Sequence, residues 1–133
     1  MQLLLVRHAL PLRSEIGEGS DPELADAGWD QARRLPDALA RFEVSRLVSS
    51  PQRRARQTAE PVAAAFGLPV DIDDRMAEYD RGMSHYVPLE EVRAERPGDW
   101  ARMAQGQLPD TVDADAFTAR VRCALRDNVY AAH

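Results

Sequence analysis

The apolar residues of this chain fall into short solid runs and longer periodic stretches, and the two alternate. Residues 2–6 hold Leu3-Leu4-Leu5-Val6, a short apolar run that meets charge at Arg7 and predicts a fully buried strand. Residues 9–22 carry prolines, glycines and serines and predict a loop. From about 23 to 42 a helical period sets Leu24, Ala27, Gln31, Leu35, Leu39 and Phe42 near one face. Gly28 and Pro36 weaken that helix and predict two pieces. Residues 44–48 form the second expected strand. At Ser49-Ser50-Pro51 a hydroxyl cap with proline just inside predicts a helix start. That helix runs to about Phe66, where Gly67 closes it, and Val70-Asp71-Ile72 follows as a third strand. Beyond it the pattern is less regular, with short helices expected at 89–95 and 99–105 around Pro97-Gly98. The last element, about 114–131, spaces Phe117, Val121, Leu125 and Val129 four apart, as an amphipathic helix does. Strands alternating with helices predict an α/β sandwich with a mainly parallel sheet. In such sheets ligands sit beyond the C-terminal strand ends. Arg7-His8 and the Ser49-Ser50 turn both lie there.

With 133 residues the chain is expected to form a single domain, residues 1–133. A hydrophobic share of 44% with 29% charged residues is globular composition, not disorder. The net charge of −5 argues against nucleic acid and anionic membrane as partners, so any phosphate site is a local positive focus. Cys123 is the only cysteine, which excludes an internal disulfide and fits a reducing compartment. No apolar stretch approaches the roughly 18 residues that a membrane span needs, and the four-residue N-terminal run is too short for a signal peptide. A cytoplasmic location is expected.

Arg7 and His8 stand where the first strand delivers its end. A guanidinium can hold an anionic phosphoryl group through paired hydrogen bonds. An imidazole that titrates near neutrality can attack phosphorus while uncharged, so phosphoryl chemistry through a phosphohistidine is expected. The second informative segment is Ser49-Ser50-Pro51-Gln52-Arg53-Arg54-Ala55-Arg56-Gln57-Thr58-Ala59, at the entrance of a helix. Unpaired N–H groups and partial positive charge favour phosphate there. At about 100° per residue, at most one or two of the three arginines can face a common site.

Leu-Leu-Val-Arg7-His8, followed by Ser49-Ser50-Pro-x-x-Arg54-Ala-x-x-Thr58-Ala59, resembles the histidine phosphatase superfamily, the phosphoglycerate mutase-like proteins. Between these segments, Pro22-Glu23-Leu24-Ala25-Asp26-Ala27-Gly28-x-x-Gln31-Ala32 is similar to that family's leucine-threonine-x-x-glycine-x-x-glutamine-alanine helix start. After the third strand, Arg75-Met76-Ala77-Glu78-Tyr79-Asp80-Arg81-Gly82 resembles its leucine-x-glutamate-x-x-x-glycine. The likeness covers roughly residues 2–82, with the motifs in order. It implies a three-layer α/β/α sandwich and a histidine acid phosphatase-type phosphatase. In that scheme His8 is the nucleophile, Arg7 and Arg54 bind the phosphoryl oxygens, and Glu78 is the general acid and base. The implied chemistry needs no metal and no cofactor. His8, His85 and His133 have no regular ligand spacing.

The chain departs from the family at three places. Ala9 stands where the family usually has glycine. The family's tryptophan-glutamate-glycine after the acid loop is replaced by Met83-Ser84-His85-Tyr86-Val87-Pro88, where His85 and Tyr86 are expected to cap or pack rather than touch substrate. The second catalytic histidine, in a histidine-glycine pair at a later strand end, has no counterpart, and His133 is expected to be a helix-end residue. The family's strand beside strand one is thus lacking, and the expectation is a piece of a domain nearer 200 residues, with an open slot in its sheet. If complete, the chain would need another chain in the slot. A homodimer is one such assembly, and a small phosphorylated molecule is the expected substrate. The alternatives are a phosphoglycerate mutase-type phosphotransferase and a non-catalytic phosphate-binding pseudoenzyme. The family's mutases resemble one another in an asparagine-containing loop after the first histidine and a long insertion before the final helix. Residues 9–22 hold no asparagine and 83–112 is short, so the resemblance implies the phosphatase, and Glu78 favours alcohol esters. The absence of a glycine-lysine phosphate loop disfavours an ordinary nucleotide-binding domain.

Overall fold

A computed structural model describes residues 2–131. Its elements are α1 (Asp26–Arg33), α2 (Leu35–Leu39), β1 (Leu47–Ser49), α3 (Arg53–Phe66), β2 (Val70–Ile72), a 3-10 turn (Asp74–Met76), α4 (Leu89–Glu95), α5 (Pro97–Ala104) and α6 (Ala114–Tyr130). Strands β1 and β2 pair in parallel, Leu47 opposite Val70 and Ser49 opposite Ile72, with α3 as the crossover between them. The ladder extends one step further, as Asp73 N–H donates to the Ser49 carbonyl at 3.0 Å. The architecture is mixed, with helices packed around a small parallel sheet.

The helix expected over 23–42 is in two pieces. The break falls at Arg34, and Pro36 lies in the first turn of α2, where its missing N–H costs nothing. Gly28 has another task. A Cβ there would sit 2.0 Å from the Leu10 carbonyl oxygen, so only glycine lets the loop after His8 lie against α1. Helix α3 ends at Gly67 with φ of 65°, as its sequence predicts. Its start differs from expectation. The N-cap is Gln52, with no side-chain cap bond, and the Ser49 hydroxyl donates instead to the Ser50 carbonyl. The first helical N–H, that of Arg53, is taken by Asp21 Oδ1 at 2.7 Å. A carboxylate from the 9–22 loop therefore occupies the donor that was expected to face phosphate.

Residues 2–6 do not form the buried strand that their apolarity predicts. Leu3, Leu5 and Val6 are 55%, 73% and 50% exposed. Residues 2–8 make no backbone–backbone hydrogen bond among the described residues. A strand exists only with a neighbour to share its ladder, and among the described residues the sheet is β1 and β2 alone. Ordered attachment begins at Ala9 and continues where Pro11 bridges Leu24. Ala9, Leu24 and Ala32 form a small apolar core against Trp29. Helix α6 packs on the 3-10 turn after β2. His133 lies outside the described residues.

Candidate active site

Helix α3 carries the site on a stripe. Arg54, Thr58 and Val62 lie four apart and are its buried positions, whereas Arg53 and Arg56 face out. Arg53 pairs with Glu23 at 2.8 Å. Arg54 is wholly buried, the largest fully buried side chain among the described residues. One of its terminal nitrogens, Nη1, donates to the Ser20 carbonyl at 2.9 Å. The other, Nη2, donates to Glu78 Oε2 at 3.0 Å and to Asp80 Oδ1 and Oδ2 at 3.0 and 2.9 Å. The Tyr86 ring lies across the guanidinium, 4.7 Å from its carbon to the ring centroid, a cation–π contact.

His8 stands on the far side of Glu78. Its Nδ1 is 2.8 Å from the Ala9 carbonyl oxygen, a bond that Nδ1–H donates, so in the neutral ring the lone pair is on Nε2. That Nε2 lies 3.4 Å from Glu78 Oε1, and the His8 side chain is 6% exposed. The Tyr86 ring meets the imidazole edge-on at 6.4 Å between centroids. Thr58 fixes the backbone behind the histidine. Its hydroxyl accepts the Ala9 N–H at 2.9 Å and donates to the Arg54 carbonyl at 2.6 Å. Two glutamines clamp the adjoining chain, Gln31 accepting from Leu10 N–H and Gln57 from Leu24 N–H.

Burial pushes the Asp80 carboxyl up from the ordinary range, with Arg54 pulling the other way and Glu78 adding to the rise. Burial works against the charge on Arg54, but Glu78 and Asp80 outweigh it and the guanidinium is held more firmly protonated than usual. Tyr86 is pushed up by burial, while Arg54 and, more weakly, Arg7 pull it down. Among the described residues no set of three His, Cys, Asp or Glu side chains is placed to hold a metal.

Of the residues the sequence singles out, His8, Arg54 and Glu78 come together in one cluster. Arg7 does not join it by any bond. Its side chain is exposed, near enough only for its charge to be felt at Tyr86. His85 bonds to its neighbour Ser84 and stays outside the cluster. Tyr86, expected to pack, does so against His8 and Arg54 themselves. Four participants were not singled out: Ser14, Ser20, Thr58 and Asp80. Thr58 was findable, since it follows Arg54 by one helical turn, and Asp80 is a second carboxylate two residues from Glu78. Ser14 and Ser20 carry no such signal. They act across the fold, Ser14 accepting from Tyr86 N–H and Ser20 donating to the Asp80 carbonyl.

The pattern of the histidine phosphatase superfamily, branch 1, matches residues 3–133. The chain belongs to this superfamily. Among similar histidine phosphatase relatives, phosphoserine phosphatase 1 of Hydrogenobacter thermophilus is 35% identical over 108 residues, covering 79% of this chain and 51% of that protein. A probable phosphoglycerate mutase, GpmB, of an Enterobacter species is 28% identical, over 96% of this chain and 62% of its own. The solved structure of a mycobacterial glucosyl-3-phosphoglycerate phosphatase aligns with a TM-score of 0.65 at 27% identity, over 92% of this chain and 61% of that one. The chain thus spans about half to three-fifths of the length of these superfamily members.

Proposed function

We propose that this protein is a phosphomonoester hydrolase that works through a phosphohistidine at His8, a histidine acid phosphatase-type enzyme acting on a small phosphorylated alcohol. The observation that carries this reading is the 3.4 Å approach of His8 Nε2 to Glu78 Oε1, with Arg54 on the other oxygen of the same carboxylate. Nucleophile, acid and phosphate-binding cation are then within one phosphoryl group of each other. Nε2 attacks phosphorus, the bond from phosphorus to the alcohol oxygen breaks, and Glu78 gives its proton to that oxygen. Water then attacks the phosphohistidine, Glu78 takes the proton of the water, and inorganic phosphate leaves. Arg54 stabilises charge on the phosphoryl oxygens. Arg7 is read as the second cation for these oxygens, although its exposed side chain makes no bond to the cluster. A cleft of about 350 Å³ beside Glu78, walled by Tyr79, Arg81, Phe117 and Arg120, offers room for the leaving group.

Hydrolysis, rather than the mutase reaction, is supported by the higher identity to the phosphoserine phosphatase than to GpmB. The free, exposed Cys123 suits a reducing compartment, and the cytoplasm is the proposed setting. Hydrolysis of an aryl phosphate and an alkyl phosphate by the wild type, His8→Ala and Glu78→Gln tests the reading. His8→Ala abolishes turnover on both, whereas Glu78→Gln slows the alkyl ester about 10²-fold or more and the aryl ester less, because a poor leaving group needs the proton more. Turnover that survives His8→Ala overturns the phosphohistidine. Phosphate binding without turnover in the wild type makes the chain a binding module instead.

A further inference from the structure

Arg54 holds more partners than its nitrogens can serve. Nη2 carries two N–H groups yet has three carboxylate oxygens within 3.0 Å, while the buried Nε–H has no acceptor. Two carboxylates share one guanidinium, so the cluster already carries an excess of negative charge before any phosphoryl group enters. The arginine is also wholly covered, and an anion reaches it only by displacing one of its neighbours.

The neighbours differ in how firmly they are held. Ser20 gives a backbone carbonyl from a loop, and its own hydroxyl is tied to the Asp80 carbonyl. Asp80 makes two bonds to Nη2 and its side chain is 10% exposed. Tyr86 lies beneath the guanidinium, with its backbone N–H bonded to Ser14. Glu78 makes one bond to Arg54 and its side chain is 43% exposed. It is the partner with solvent to move into and the least to lose.

We propose that an arriving phosphoryl group takes the place of Glu78 on Arg54, while Asp80 keeps its bonds and acts as the positioning residue that holds the guanidinium in register. This rests on the reading of the cluster as a phosphoryl site and deepens it. Glu78 is the lid on Arg54. Displaced by an anion and freed from its cation, the carboxylate turns into the solvent it already half faces, on the side where His8 Nε2 stands. Asp80, with no solvent to move into and two bonds to break, stays and keeps the buried cation compensated.

The experiment follows the two carboxylates by carbon-13 NMR in the full 133-residue chain as inorganic phosphate is added, with Glu78→Gln and Asp80→Asn used to assign the signals. The Glu78 carboxyl resonance shifts as phosphate binds and its bond to Arg54 is lost, and the Asp80 resonance stays nearly still. Alongside, calorimetry gives phosphate affinity. Glu78→Gln binds phosphate roughly three- to tenfold more tightly, since the half-exposed competitor is gone, and Arg54→Ala loses about tenfold or more. An Asp80 resonance that moves as far as that of Glu78 overturns the anchor. A still Glu78 resonance, or weaker binding in Glu78→Gln, overturns the exchange while leaving the phosphoryl site intact. Phosphate that binds Arg54→Ala as well as wild type, or does not bind the wild type, removes the site reading itself.

Discussion

The Thr58 hydroxyl ties the loop that carries His8 to the helix that carries Arg54. It accepts from Ala9 N–H and returns a bond to the Arg54 carbonyl one turn back, so histidine and arginine keep their spacing through one side chain. Ala9 is buried, and without Thr58 its N–H meets no acceptor. Thr58→Val keeps the shape and removes the bond, and is expected to lower stability by about 1–3 kcal/mol, the cost of an unsatisfied buried donor. Thr58→Ser, which keeps the hydroxyl, is expected to lose clearly less. Urea denaturation of the two variants checks this, and equal losses would assign the effect to the missing methyl group. At this scale the sequence was partly legible. The motif around it singled out Arg54 as a phosphate ligand, but its complete burial was not legible, because Arg53, Arg54 and Arg56 differ only in the direction that the helix gives them.

At the scale of elements, α6 was the most readable, since a long amphipathic period leaves few alternatives. How it docks was not readable. Residues 117, 120, 121, 124, 125, 128 and 129 make its less exposed face, but polar side chains fix its place. Arg120 donates to the carbonyls of Arg75 and Ala77, Asn128 to Asp73 at 2.8 Å, and Arg75 to Asp127 at 2.7 Å. Asp73 is the hinge of this network. It caps the 3-10 turn through Arg75 N–H and takes two further bonds from the Arg75 guanidinium. These bonds from Arg75, with that from Asn128, hold its carboxyl far below the ordinary value of 3.8, against a smaller opposing effect of burial. A depressed carboxylate contributes stability that is fully present above its unfolded value and lost as pH falls through the folded one. The contribution is therefore expected to persist above about pH 4 and to drain away below it. Comparing urea midpoints of wild type and Asp73→Asn between pH 6 and 3 tests this. The gap between the two narrows on acidification, and a constant gap would remove Asp73 from the acid response. Arg120 meanwhile holds the segment just before Glu78, so α6 positions the acid loop from outside the site.

Across the whole molecule the apolar and polar residues have partly exchanged their usual places. Among the described residues the largest fully buried side chain is Arg54, while three of the four apolar residues of the opening run are half or more exposed. Amides of residues 3–7 are expected to exchange hydrogen with almost no protection, whereas those of Ala9 and Asp73, bonded to Thr58 and Ser49, are slowed at least tenfold relative to them. Native-state hydrogen exchange on the 133-residue chain reads this directly, and strong protection at residues 3–7 would mean that the run has found a strand partner.

What the sequence determined by itself is what short-range physics controls. The break just before Pro36, the closure at Gly67, β2 at Val70–Ile72, the helices over 89–95 and 114–130, and the α/β class with parallel pairing all follow from period, turn chemistry and backbone freedom. The ordered motifs also determined the family. Tertiary structure decided the rest, because it depends on partners distant in the chain. Strand formation at residues 2–6 needs a neighbouring strand, whatever the apolarity of the run. The start of α3 was set by Asp21, more than thirty residues away, rather than by its own serines. Arg54 became the buried centre of the cluster because Ser20 from the loop before α1 and Glu78, Asp80 and Tyr86 from the loop before α4 converge on it, and no local pattern encodes a convergence.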